Sequence, residues 1–199
     1  LNCYKYVSRA SSTCASNAIN VTDTINIYYF AQATDSSSSF PSGAWEAFAF
    51  AKDTSNATGS ASSTLVELNT TTAVNVTTSS INYGTVPAGT NTGSTTQVAT
   101  TTNAGNSSTT LQLSAQSTLT SGSNSITTSS QHYATSTFTY GGVEQALSGT
   151  LTTVSGFFLT SPTSTSFVQK ATFWGLAVPG GTASGSYIGT NVFSSLFRP

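Results

Sequence analysis

Methionine is missing from the whole chain, position 1 included, so the 199 residues read as a processed or trimmed product. Charge is nearly as scarce. Five basic and six acidic side chains make up 6% of the residues, against roughly 25% in an ordinary globular protein. A net charge of −1 gives no electrostatic footprint for DNA or RNA, and no nucleic-acid partner is expected. No apolar run reaches the roughly 18 residues needed to cross a bilayer, so no membrane span is expected in this chain. Any signal peptide or anchor is expected to have been removed. There are only two cysteines, Cys3 and Cys14, and they lack the CxxC spacing of metal and redox sites. Their closeness points to one disulfide closing a short N-terminal loop, with two free buried thiols as the alternative; a disulfide implies an oxidising compartment and a secreted, extracellular or cell-surface location.

What the chain has in abundance is hydroxyl groups. Ser and Thr supply more than a third of the residues. Disordered chains lack aromatics and carry charge, whereas eleven Phe, eight Tyr and two Trp lie here in apolar clusters. The chain therefore folds, with hydroxyls and amides supplying its solubility. Gly, Thr, Ser and Asn interrupt every stretch long enough for a helix. Short β-rich runs between turn residues dominate, the pattern of a sandwich or barrel. Strands are expected near residues 3–8, 20–33, 44–52, 60–69, 73–83, 94–101, 108–116, 133–140, 151–160, 167–178 and 185–196. Turns are expected at 35–39, 53–59, 87–93, 103–106, 141–142 and 179–185.

Alternation across a strand puts Trp45, Ala47, Ala49 and Ala51 on one face and Glu46, Phe48, Phe50 and Lys52 on the other. Apolar residues sit at the centre of both, so both faces are expected to be covered. Val168, Lys170, Thr172, Trp174, Leu176 and Val178 share a face of the later long strand. Both tryptophans are expected to anchor a core between sheets. A module boundary falls in the polar stretch before Ile81. It separates an N-terminal β-sandwich module, residues 1–78, with about five strands and an open edge, from residues 79–199 with about seven. The expected fold is all-β, built of immunoglobulin-like antiparallel β-sandwich modules.

Two stretches carry a resemblance. One is Ile81-Asn82-Tyr83-Gly84-Thr85-Val86 with Gly89, Asn91-Thr92-Gly93 and Thr102-Asn103-Ala104-Gly105-Asn106. The other is Tyr133-Ala134-Thr135-Ser136-Thr137-Phe138 with Trp174-Gly175-Leu176-Ala177-Val178-Pro179, Gly181-Thr182, Ser184-Gly185 and Tyr187 through Asn191. Together they resemble a group of secreted β-sandwich proteins from archaea and uncultivated bacterial lineages, and residues 44–78 resemble the immunoglobulin-like module that often precedes them. The resemblance implies a surface location and a structural role, and it carries no catalytic residue. On their own chemistry these motifs are turns and core positions. Asn-x-Gly-Asn after a polar strand reads as a hairpin turn.

The search for chemistry finds little. The carboxylates Asp23, Asp35, Glu46, Asp53, Glu67 and Glu144 show no close pairing of the kind a glycosidase needs. His132 is the sole histidine, and with thirty-five serines and no G-x-S-x-G elbow a triad has no support. It reads as a polar surface or strand-end residue. Asp35 with its serines and Asp53-Thr54-Ser55-Asn56 could offer oxygen ligands to calcium, but Asx-turn capping explains them more simply, and no metal or cofactor is expected. Asn-x-Ser/Thr sites for glycosylation stand at Asn20, Asn56, Asn69, Asn75 and Asn106. Lys52 shares a strand face with Glu46, the proximity that a Lys–Asn isopeptide crosslink would need, although a solvated strand-end lysine is the simpler reading.

These observations point away from an enzyme. They fit a structural subunit of an extracellular assembly, a filament, sheath or surface layer, in which copies of the chain form a homopolymer by β-strand addition. The donor-strand candidate is the stretch in which Val21, Ile25, Ile27 and Tyr29 share a face. The alternative is a carbohydrate-binding or adhesive cell-surface module whose exposed Tyr and Trp stack on glycans.

Overall fold

A computed structural model describes residues 3–11 and 21–198. Its strands are β1 (Tyr4–Ser11), β2 (Val21–Ile27), β3 (Phe48–Lys52), β4 (Thr58–Ser62), β5 (Val74–Val76), β6 (Gln97–Asn103) and β7 (Thr109–Ala115). They continue with β8 (Leu119–Ser121), β9 (Asn124–Ile126), β10 (Gln131–Ala134), β11 (Gln145–Ala146), β12 (Thr152–Leu159), β13 (Gln169–Leu176) and β14 (Asn191–Phe197). Among the described residues the only helical element is a single 3-10 turn at Thr128–Ser130, and no helix is long and apolar enough to cross a membrane.

Two antiparallel sheets carry the core. One has five strands in the order β11-β10-β13-β6-β5, the other three in the order β12-β7-β14. Each sheet contributes its apolar positions to one cluster: Ala99, Tyr133 and Trp174 from the larger, Leu111, Leu113, Val154, Phe157 and Leu159 from the smaller. Trp174 is the hub. It is fully buried, its ring lies 5.4 Å from that of Tyr133 and 5.8 Å from that of Phe193, and its indole N–H donates to Thr172 Oγ1. Strand β7 is central in its sheet, and its hydroxyls find backbone acceptors, Thr110 on the Phe157 carbonyl and Thr109 on that of Leu196. That is how a strand so rich in Thr can be buried at all. A smaller cluster of Leu119, Ile126, Leu176 and Val178 closes one end beneath the β8–β9 hairpin.

The fold is thus all-β and antiparallel, with two packed sheets. The order within those sheets is its own. Taking β5, β6, β7, β10, β12, β13 and β14 as first to seventh, the sheets run fourth-sixth-second-first and fifth-third-seventh. An immunoglobulin domain runs first-second-fifth-fourth and third-sixth-seventh.

The turn at 103–106 differs from the hairpin its residues predict. It joins β6 of one sheet to β7 of the other, so it is a corner between layers. The turn chemistry was legible, but the chemistry of a turn does not say which sheet the next strand enters. Asn103 is buried here and holds the corner, donating to the carbonyls of Ser107 and Thr160 and accepting from the Gly105 N–H. Gly105 is required by proximity, since a Cβ there would lie 2.2 Å from the Thr71 carbonyl oxygen.

Strand β5 pairs directly with β6, so the sandwich begins by Val74, ahead of the expected division between 78 and 79. Before it, the described residues form two separate two-stranded ribbons, β1–β2 and β3–β4, in place of the open five-stranded module. The run from residue 20 stops at Ile27 and turns through Tyr28–Ala31, and the run from 60 stops at Ser62. Ala47, Ala49, Ala51 and Ala61 are too small to supply a core of their own. The connecting stretch is tied down by Phe30, Ala31 and Ala33, which are buried, by the Thr34 N–H to Leu68 carbonyl bond, and by Thr70, which donates to Asp35 through both backbone and hydroxyl.

Candidate functional site

The β1–β2 ribbon is amphipathic, and among the described residues nothing covers it. Tyr4 stands opposite Ile27 and Tyr6 opposite Ile25, which puts Tyr4, Tyr6, Val21, Ile25 and Ile27 on one face, interrupted by the Arg9–Asp23 ion pair at 2.7 Å. Lys5, Ser8, Ala10, Thr22, Thr24 and Asn26 fill the other face. Such a clean division is the pattern of a sheet with one face on a core. Yet both strands are exposed along their whole length, Ile25 and Ile27 at 45% and 47%. An isolated hairpin is marginally stable in water.

Backbone geometry adds a second feature. The Tyr28 N–H bonds the Cys3 carbonyl at 2.9 Å. The alternation of an antiparallel ladder then turns the N–H and C=O groups of Val21, Asp23, Ile25 and Ile27 away from β1. Strand β1 is bulged at Val7, whereas β2 is regular. A bulge blunts an edge, so β2 is the ribbon's competent edge. Tyr29 lies beyond the strand and lines a shallow depression with Asn75, Thr102, Asn103, Ala104 and Phe167, at the sandwich end where the ribbon attaches. Val21, Ile25 and Ile27 therefore share one face of the ribbon, and Tyr29 lies outside that set.

The β3–β4 ribbon overturns one expectation. Phe48 and Phe50 are 67% and 65% exposed and Ala47, Ala49 and Ala51 are exposed behind them, so both faces expected to be covered are bare. With only two strands and alanines behind, nothing in the ribbon reaches across them. Trp45 lies partly buried and donates from its indole N–H to the Gln32 carbonyl, so it anchors a loop, while Trp174 anchors the sheets.

The remaining sequence candidates fall as follows. Cys14 and Asn20 lie outside the described residues, and with Cys14 the Cys3–Cys14 pairing. Asn56, Asn69 and Asn75 are exposed. Asn106 is occupied, its Oδ1 accepting from the Thr71 N–H and its Nδ2 donating to the Asn69 carbonyl. The carboxylates proposed for calcium serve as backbone caps: Asp53 accepts from the N–H groups of Ser55 and Ala57. The Thr70 hydroxyl and amide, with the Ser37 and Ser38 N–H groups, hold the Asp35 pKa below its ordinary value. Among the described residues no cluster of three His, Cys, Asp or Glu side chains is present. Lys52 and Glu46 are both exposed.

One polar cluster escaped the sequence. His132 on β10 lies 3.0 Å from Glu144 and stacks on Tyr140 with ring centroids 4.4 Å apart. The Glu144 side chain is 1% exposed and also accepts from the Gly141 N–H. Burial pushes its pKa up, but the amides of Gly141, Glu144 and Gly142 and the His132 ring together hold it below the usual 4.5. The Gly141-Gly142 turn, which folds residue 144 back beside β10, was the available signal. The cluster sits at the edge formed by β10 and β11 and serves as a clamp on that corner.

No family model, no curated protein and no solved structure matches this chain.

Proposed function

We propose that this chain is a structural subunit of an extracellular assembly, held together by β-strand addition between copies. The observation that carries the reading is the β1–β2 ribbon, whose apolar face has no core beneath it among the described residues. Low charge and hydroxyl-rich surfaces remove the long-range repulsion that would keep such copies apart. A ribbon on one part of the chain and its receptor on another make a head-to-tail contact, which generates open polymers wherever its rotation does not close into a ring. Secretion and the Cys3–Cys14 disulfide belong to the same reading.

The test is assembly itself. Purified chain should form polymers visible by negative-stain microscopy above a critical concentration. Asp at both Ile25 and Ile27 should leave the sandwich folded by circular dichroism and abolish polymers. If that variant unfolds as a monomer, the ribbon serves its own chain and the reading fails. The carbohydrate-binding alternative rests on the exposed rings of Tyr4, Tyr6, Phe48 and Phe50. It predicts dispersed monomers retained on a glycan column.

A further inference from the structure

Strand addition needs a receptor, and the sandwich offers four edges. Strand β5 is three residues long and β11 is two. Strand β12 is irregular between Thr153 and Phe158, with Gly156 at φ 70°, and Lys170 Nζ donates to the Gly156 carbonyl at 2.6 Å. A bulge capped by a lysine is a blunted edge. Strand β14 is different. It pairs with β7 over seven consecutive residues without a register shift, and from Asn191 to Phe197 it contains no charge, no proline and no glycine.

Its outward groups can be assigned. The Gln116 N–H bonds the Thr190 carbonyl and the Arg198 N–H bonds that of Ser108, so even-numbered residues between them face β7. Asn191, Phe193, Ser195 and Phe197 turn their N–H and C=O groups to the open side, and among the described residues none of these groups has a backbone partner. The side chains of these same residues lie on the inner face. Phe193 meets Trp174, and Asn191 bonds Gln131 of the opposite sheet.

We infer that the free edge of β14 receives β2 of a second copy, so that the β1–β2 ribbon extends the three-stranded sheet to five strands. This inference rests on the assembly reading and names its contact. Three observations select the occupant. Both strands are seven residues long and regular. The outward backbone groups of β2 belong to Val21, Asp23, Ile25 and Ile27, which carry the ribbon's apolar face, with Asp23 bound to Arg9. Residues directly opposite in an antiparallel pair share a face. Pairing these residues with Asn191, Phe193, Ser195 and Phe197 therefore makes the ribbon's apolar face continue the inner face of the sandwich, and its polar face continue the outside. The added pair also brings the smaller sheet to the strand number of the larger.

The test uses Ser195→Pro. The Ser195 N–H points away from β7, so proline removes nothing from the existing ladder but bars an added strand. Val76→Pro, at an outward position of β5, is the matching control. The expected result is that wild type and Val76→Pro polymerise while folded Ser195→Pro stays monomeric. Polymers from Ser195→Pro overturn the receptor assignment and leave assembly standing. Wild type that remains monomeric at every concentration overturns both. Should Ser195→Pro fail to fold, hydrogen exchange on the wild-type chain decides. Peptides covering residues 191–197 should exchange about tenfold or more slowly in polymer than in monomer. Equal rates in the two states, or the same protection in dilute monomer, refute the contact between copies.

Discussion

Replacing Gly105 with alanine should loosen the joint between the N-terminal part and the sandwich by an amount that can be worked out. The added Cβ would stand 2.2 Å from the Thr71 oxygen, 2.9 Å from the Ala73 nitrogen and 3.0 Å from the Thr71 carbon. All three are backbone atoms, so no side chain can swing aside. Relief requires residues 71–73 to move off the corner. Two backbone–backbone bonds lie across that gap, Ala104 N–H to the Ala73 carbonyl at 3.0 Å and Asn106 N–H to the Thr71 carbonyl at 3.1 Å, beside the side-chain bonds of Thr71 N–H to Asn106 Oδ1 and of Ser107 Oγ to the Thr71 carbonyl. At about 1 kcal/mol net for each of the two backbone bonds, and with the side-chain bonds kept, the cost is about 2 kcal/mol. For a chain of this size that lowers the melting temperature by about 4–8 °C. Differential scanning calorimetry measures the shift. Hydrogen exchange should place the loosening at residues 69–76, with β7 and β14 unchanged. A variant melting within a degree of wild type would show that this contact is not tight, and the argument for Gly105 would fall.

Two further outcomes are expected. Non-reducing mass mapping should find Cys3 joined to Cys14, and reduction should cost roughly 2–3 kcal/mol for so short a loop; two free thiols refute the bridge. The second concerns acid. A carboxylate whose pKa is depressed on folding stabilises the fold above its unfolded value, and that contribution disappears as pH falls through the folded one. Glu144 is such a group, so wild type should lose stability below about pH 4.5 more steeply than Glu144→Gln. Parallel melting-temperature profiles for the two would show that the clamp carries no charge-dependent stability.

The sandwich was legible where side chains alternate against a covered face. Leu111 and Leu113 on β7, and Thr172, Trp174 and Leu176 on β13, are buried as the period of two requires. The β8–β9 hairpin was missed because Ser and Thr fill Leu119–Ser121 and Asn124–Ile126, leaving only Leu119 and Ile126 as apolar markers around the Gly122 turn. Alternation also misled. Phe48 and Phe50 show the pattern of a covered strand, but the period reports which residues share a face, not whether a second layer exists to meet it. The His132–Glu144 pair needed knowledge of how tightly Gly141 and Gly142 fold the chain back. Val21, Ile25 and Ile27 stood out as a set from the sequence, whereas the unblunted edge of β14 could be seen only once its neighbours β5, β11 and β12 had their lengths and bulges.

The position of β14 also governs when the molecule can close. Its ladder joins Asn191 to Ala115 and Phe197 to Thr109, contacts between residues far apart along the chain. Until residues 191–197 are free to dock, β7 has one flank bare and Trp174 lacks the ring of Phe193. Pairings of such long range fold slowly, because the loop must close before the contacts reward it. Completion of the sandwich is therefore expected to wait on the docking of β14 against β7, the long-range step that closes its core.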